Sequence, residues 1–182
     1  MRKIKLYLAI SLNGKIARSD GSVDWLDSIP NPENSDYGYA EFYKTIDTTI
    51  MGYSTYNQVI NWGIEWPYMD KKNYVLTRKV GLKNTEFVEF IAKDHIPFIE
   101  QLKEHPGKDI WLVGGGQVNT MLLNANLVDE IYLYTMPLVI PSGIDLFEGL
   151  PNETELKLVG IKSYSSGVIE SIYQVENTSF KN

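Results

Sequence analysis

Asp109-Ile110-Trp111-Leu112-Val113-Gly114-Gly115-Gly116-Gln117-Val118 is the stretch that decides the fold. An apolar run of strand length ends in three glycines and passes straight into Val118, Met121, Leu122 and Ala125, an i, i+3, i+4, i+7 helical stripe. Glycines without Cβ atoms let a ligand approach the backbone. The amides and dipole of the first helical turn then offer a site for a pyrophosphate. The bland alternative is a tight turn that needs glycine only for its backbone conformation. Two familiar phosphate signatures do not fit: the third glycine of G-x-G-x-x-G would fall on Asn119, and no Gly-Lys-Ser/Thr is present.

Working outward, strand-length apolar runs occupy residues 4–10, 48–51, 73–77, 87–91, 110–113 and 131–140. Several are apolar on consecutive residues, as expected where both faces of a sheet are covered. Helical patterns lie between them, including Ile96, Ile99 and Leu102 behind Asp94 as an expected N-cap. Residues 155–163 and 168–176 break the alternation: two strand-like runs flank Tyr164-Ser165-Ser166-Gly167, a hairpin. The expected architecture is α/β: a central, mixed, mostly parallel sheet flanked by about four helices, with an antiparallel C-terminal hairpin.

The 182 residues, 43% hydrophobic and 22% charged, suit one domain over residues 1–182. With no cysteine, thiolate metal sites and cysteine nucleophiles are excluded and a reducing, cytoplasmic setting is expected. The apolar run at 4–10 is interrupted by Lys5 and too short to span a membrane. A net charge of -6 argues against a nucleic-acid partner and for a small-molecule substrate. His95 and His105 read as solvated, and no spacing suggests a metal site.

Several motifs accompany the glycine run. They are Ser11-Leu12-Asn13-Gly14-Lys15-Ile16-Ala17, Gly21-Ser22-Val23-Asp24-Trp25-Leu26, Tyr39-Ala40-Glu41-Phe42-Tyr43, Met51-Gly52-Tyr53-Ser54-Thr55-Tyr56 and Val75-Leu76-Thr77-Arg78. In this order the chain resembles the dihydrofolate reductase superfamily, particularly the branch similar to the reductase domain of the bifunctional riboflavin-biosynthesis deaminase-reductase. The resemblance covers most of the chain. It implies the three-layer fold of that superfamily, NADPH as cofactor, hydride transfer to a pteridine or aminopyrimidine, and a homodimer. A non-catalytic nucleotide-binding protein that kept the fold is the alternative.

Carried over residue by residue, the resemblance implies that Ala9 and Ile16 line the nicotinamide. Gly52, Tyr53, Ser54 and Thr55 would open a helix toward a phosphate, with Leu76, Thr77 and Arg78 near the adenosine ribose. Val113, Gly114, Gly115, Gly116, Gln117 and Val118 would complete the pyrophosphate cradle. Tyr53 departs from the family, which commonly has an arginine there to pair with the 2′-phosphate. The resemblance puts the family's first helix at residues 36–44; the carboxylate that it carries in true dihydrofolate reductases to hold the substrate falls on Gly38, so Asp24, Asp36 and Glu41 are the nearby acids expected to take its part. Trp25, Tyr39, Phe42 and Tyr134 are candidates to stack on the substrate ring, with core packing as the plain alternative.

Overall fold

The computed structural model describes residues 1–176. Strands β1 (Ile4–Ser11), β3 (Ile46–Gly52), β4 (Lys72–Leu76), β5 (Val88–Ile91), β6 (Asp109–Gly114), β7 (Glu130–Met136), β9 (Glu155–Ser163) and β10 (Ile169–Glu176) form one sheet. Its order is β5-β4-β3-β6-β1-β7-β10-β9. β5, β4, β3, β6, β1 and β7 are parallel neighbours, and β10 runs antiparallel to both β7 and β9. Two short strands, β2 (Lys15–Ala17) and β8 (Ile144–Asp145), pair separately. The helices are α1 (Tyr39–Thr45), α2 (Tyr53–Ile60), α3 (His95–Glu104) and α4 (Gly116–Asn124), with a 3-10 turn over Asp24–Ser28.

Alternation along β6 sorts the core into two layers. Ile110 and Leu112 pack with Ile4, Leu6, Ile50 and the α3 and α4 residues Ile99, Leu102, Leu122 and Leu123. Trp111 and Val113 face the other way, among Phe42 and Tyr39 of α1 and Tyr53 and Tyr56 of α2. The consecutive apolar residues thus reflect a sheet covered on both faces. Ile110 and Leu112 are fully buried, each contributing about 1.5–3 kcal/mol by leaving water. The mixed sheet, its four helices and the C-terminal hairpin are as the sequence predicts.

Three local expectations are corrected. The strand expected at 131–140 ends at Met136, because Pro137 has no N–H to continue a ladder and the Leu138 amide turns back to the Met136 carbonyl at 2.8 Å. The helix expected at 36–44 begins at Tyr39, because Gly38 is left-handed and Asp36 binds the amides ahead of it. Asp94 precedes α3 but makes no side-chain cap; its backbone is itself left-handed, at φ 51°.

Candidate active site

The carboxyl ends of the parallel strands bring the glycine motifs together. Gly52 lies beside Leu76 in the β3–β4 register, and Met51 beside Gly114 in the β3–β6 register. From β3 the chain crosses through α2 to β4, whereas from β6 it crosses through α4 in the opposite direction, over β1, to β7. The two helices therefore cover opposite faces, and the winding reverses at the carboxyl ends of β3 and β6, the usual ligand position in such sheets.

Neither α2 nor α4 has a side-chain cap; the preceding residues are Gly52 and Gly115. The first turns of both helices thus open at the carboxyl end of the sheet, although in α4 the Val118 amide is already taken by the Gly115 carbonyl at 2.9 Å. A hydrogen bond ties the two loops together, from the Gly115 amide to Thr55 Oγ1 at 3.1 Å. The space between them is narrow: a Cβ on Gly52 would lie 3.0 Å from Val118 Cγ2, and one on Gly115 would lie 3.3 Å from Thr55 Oγ1. Gly116 is required by packing, since its Cβ would meet the Asp145 carbonyl at 2.4 Å. Gly114, at φ 122°, occupies backbone space closed to other residues. Below the loop, Asn119 is fully buried; its Nδ2 donates to the Leu146 carbonyl at 2.8 Å and its Oδ1 has no partner. Ser54 and Gln117 are exposed, while Ala9, Ile16, Val113 and Val118 are half-buried.

Tyr53 itself carries no charge, but a lysine lies over its ring. Lys79 places its ammonium 4.2 Å from the centre of the Tyr53 ring, a cation–π contact that fixes a positive group at the start of α2. Thr77 is buried, and its Oγ1 accepts the Lys79 amide at 3.0 Å. Arg78 is exposed and makes no ion pair among the described residues. His95, expected to be solvated, is half-buried: its Nε2 lies 3.1 Å from the Thr77 carbonyl and 3.0 Å from that of Ile91. It clips together the ends of β4 and β5, a contact between residues 18 apart that local sequence does not reveal.

On the α1 face, Tyr7 stacks on Phe42 with ring centroids 4.1 Å apart, and lies 4.9 Å from Tyr134. Trp25, Phe42 and Tyr134 are 2%, 7% and 5% exposed, so packing occupies most of their surface, while Tyr39 is half-buried. Burial pushes the Tyr7 hydroxyl up to about 12, despite a hydrogen bond with Tyr134 that opposes the shift. Burial also raises Tyr134, and that bond raises it further. Both phenols are therefore neutral at physiological pH.

The three expected acids are each engaged. Asp24 is exposed and holds Arg18 at 2.6 Å. Asp36 accepts the amides of Ala40 and Gly38 at 3.0 and 2.9 Å, which hold its carboxyl below the ordinary range. Glu41 is exposed and pairs with Lys44 at 2.6 Å. Gly38 stands against Tyr134 instead: a Cβ there would lie 3.9 Å from the phenol oxygen. A fourth acid, Glu170 on β10, lies directly across the register from Tyr134. Its place in an alternating strand gave no sign of this. Two surface depressions, of about 420 and 380 Å³, lie away from these groups, along the beginnings of β4 and β5 and beside Arg2.

Residues 2–169 match the family model of the RibD C-terminal domain. The chain belongs to that family. It is 41% identical to the uncharacterized protein YwjB of Bacillus subtilis (strain 168), over 92% of this chain and 95% of that protein. It is 33% identical to YyaP, also uncharacterized, of the same organism, over 94% of each. Among solved structures, it is similar to a Shewanella sp. PV-4 protein named a putative riboflavin biosynthesis protein, with TM-score 0.84 and 26% identity over 97% of this chain and all of that one. The Thermotoga maritima diaminohydroxyphosphoribosylaminopyrimidine deaminase/5-amino-6-(5-phosphoribosylamino)uracil reductase shares the fold alone, with TM-score 0.72 and 16% identity over 96% of this chain and 57% of its own. The family model and the Shewanella structure together place the chain in the RibD C-terminal domain family, with its dihydrofolate-reductase-like α/β fold. Among the described residues no helix is long and apolar enough to cross a membrane, and no cluster of three His, Asp or Glu side chains could hold a metal.

Proposed function

We propose that this chain is an NADPH-dependent reductase that delivers hydride to an aminopyrimidine or pteridine substrate. The observation that carries the reading is the convergence of two uncapped helix starts on one crevice, joined by the bond from the Gly115 amide to Thr55 Oγ1. A pyrophosphate fits such a place, since its oxygens can take the free amides of both first turns and Gly52 and Gly115 keep side chains out of its path. Lys79, held on Tyr53, and Arg78 supply positive charge at the adjoining strand end, suited to a 2′-phosphate. Ala9, at the carboxyl half of central β1, presents a small side chain against which a flat ring can lie.

When bound, the dihydronicotinamide supplies the hydride; the protein's part is to hold two rings face to face and exclude water. Trp25, Phe42, Tyr7 and Tyr134 form a rigid aromatic floor for that purpose. Calorimetric titration with NADPH and NADH tests the reading, followed by NADPH absorbance with a panel of aminopyrimidines and dihydropteridines. The expected results are binding, preference for NADPH and turnover. A Lys79→Met change is expected to narrow the preference severalfold. Absence of NADPH binding overturns the reading, and binding without turnover across the panel turns it to a non-catalytic nucleotide-binding protein.

A further inference from the structure

Resting on the reductase reading above, we propose that Glu170 is the carboxylate that grips the substrate, binding the donor-rich edge of an aminopyrimidine from strand β10. The first helix has no acid available for this. Gly38 occupies the nearest position, and Asp36 already takes two backbone amides. Across the sheet, however, the register places Ala9, Tyr134 and Glu170 side by side on β1, β7 and β10, and neighbours in such a row share one face. Two strand spacings, roughly 10 Å, separate the first from the last. A heterocycle lying over Ala9 would span much of that distance, and a glutamate side chain can reach toward it from the far side.

Glu170 is itself held in place. Its Oε2 accepts the Tyr164 hydroxyl at 2.7 Å, while Oε1 makes no hydrogen bond among the described residues. Tyr164 packs edge-on against Tyr37, whose hydroxyl donates to Ser166 Oγ at 3.1 Å. The hairpin turn and the segment entering α1 thereby fix one carboxylate oxygen and leave the other to accept. The same cluster contains Trp25, whose buried indole N–H has no partner. The unused carboxylate oxygen beside this aromatic floor suits a ring edge that carries N–H groups. It disfavours an anionic substrate edge. Glu170 thus gives the site a binding residue contributed by the C-terminal hairpin.

The probe is 2,4-diaminopyrimidine, whose protonated ring presents parallel N–H donors to a carboxylate. Its affinity for the full chain is measured by calorimetry with and without NADPH, in wild type, Glu170→Gln and Tyr164→Phe, alongside thermal unfolding. Glu170→Gln is expected to weaken the probe at least tenfold while NADPH affinity stays within twofold; Tyr164→Phe is expected to weaken it by a smaller factor. Should Glu170→Gln fail to fold, Glu170→Asp, which keeps the charge but shortens its reach, is expected to weaken the probe severalfold. Equal probe affinity in wild type and the folded Glu170 variant overturns the proposal, as does failure of wild type to bind the probe. Loss of NADPH binding in wild type strikes the reductase reading instead, and is read separately from the probe.

Discussion

The two ends of the same parallel strands are built on opposite principles. At the amino ends, charges close on one another: Arg2 pairs with Asp47, Lys5 with Asp109 at 2.8 Å and Lys103 with Asp129 at 2.6 Å. Asp129 also accepts the Ile4 amide at 2.7 Å, and Lys103 donates to the Leu127 carbonyl at 3.0 Å. Burial would raise the Asp109 carboxyl, but its bonds with the Lys5 ammonium and the Lys3 amide outweigh that and hold it low. At the carboxyl ends, Gly52 and Gly115 precede helices that no side chain caps. One end satisfies its polar groups internally; the other keeps them available. On the proposed function the first end serves stability and the second serves ligand binding, and each role can be broken separately.

The largest effect is expected at the closed end. Asp129→Ala leaves the ammonium of Lys103, a residue only 6% exposed, without its counter-charge, and should cost about 3 kcal/mol of stability. Urea unfolding checks this, with NADPH affinity of the folded protein unchanged; a loss under about 1 kcal/mol would remove the assignment. Next comes the open end. Gly115→Val places a branched side chain beside Thr55 and should weaken NADPH by about ten- to a hundredfold, the loss of one or two charge-assisted bonds. Thr55→Val, which leaves the Gly115 amide without its partner, should cost about 1 kcal/mol of stability. If Gly115→Val binds NADPH as wild type does, the glycines serve the turn alone.

The smallest effect sharpens the border between the two regions. Asp36 has its carboxyl depressed by the amides of Ala40 and Gly38. Its contribution to stability is therefore complete above the unfolded-state value, about 3.9, and is lost as pH falls through the lower folded value. Thermal unfolding from pH 6 to 3 should decline less steeply in Asp36→Asn than in wild type. Parallel declines would mean that Asp36 caps nothing that matters to the fold.

Much of the architecture was legible because it is local. The strand at 109–114, the helix behind it and the Tyr164–Gly167 hairpin follow from hydrophobic period and turn chemistry among near neighbours. Two element boundaries were set by single residues inside the expected runs, as when Pro137 stopped β7 and Gly38 delayed α1, although both are visible in the sequence. The glycine loops were legible as motifs, but not the bond that joins them, which links residues 60 apart. Lys79 over Tyr53 and His95 between two carbonyls were likewise invisible, since each rests on a partner brought close by the sheet. Asp36 and Glu41 drew notice by lying near the first helix in sequence, yet both are occupied there. Glu170 drew none, because one acid in an alternating strand looks like any solvent-facing residue.

By itself, then, the sequence determined that a buried strand ends in Gly114-Gly115-Gly116 and turns into a helix, because apolar period and the absence of Cβ atoms are properties of adjacent residues. Only the tertiary structure decided what faces that loop. Strand order sets Thr55 against Gly115 and Glu170 against Tyr134, and order and register come from packing whole faces together.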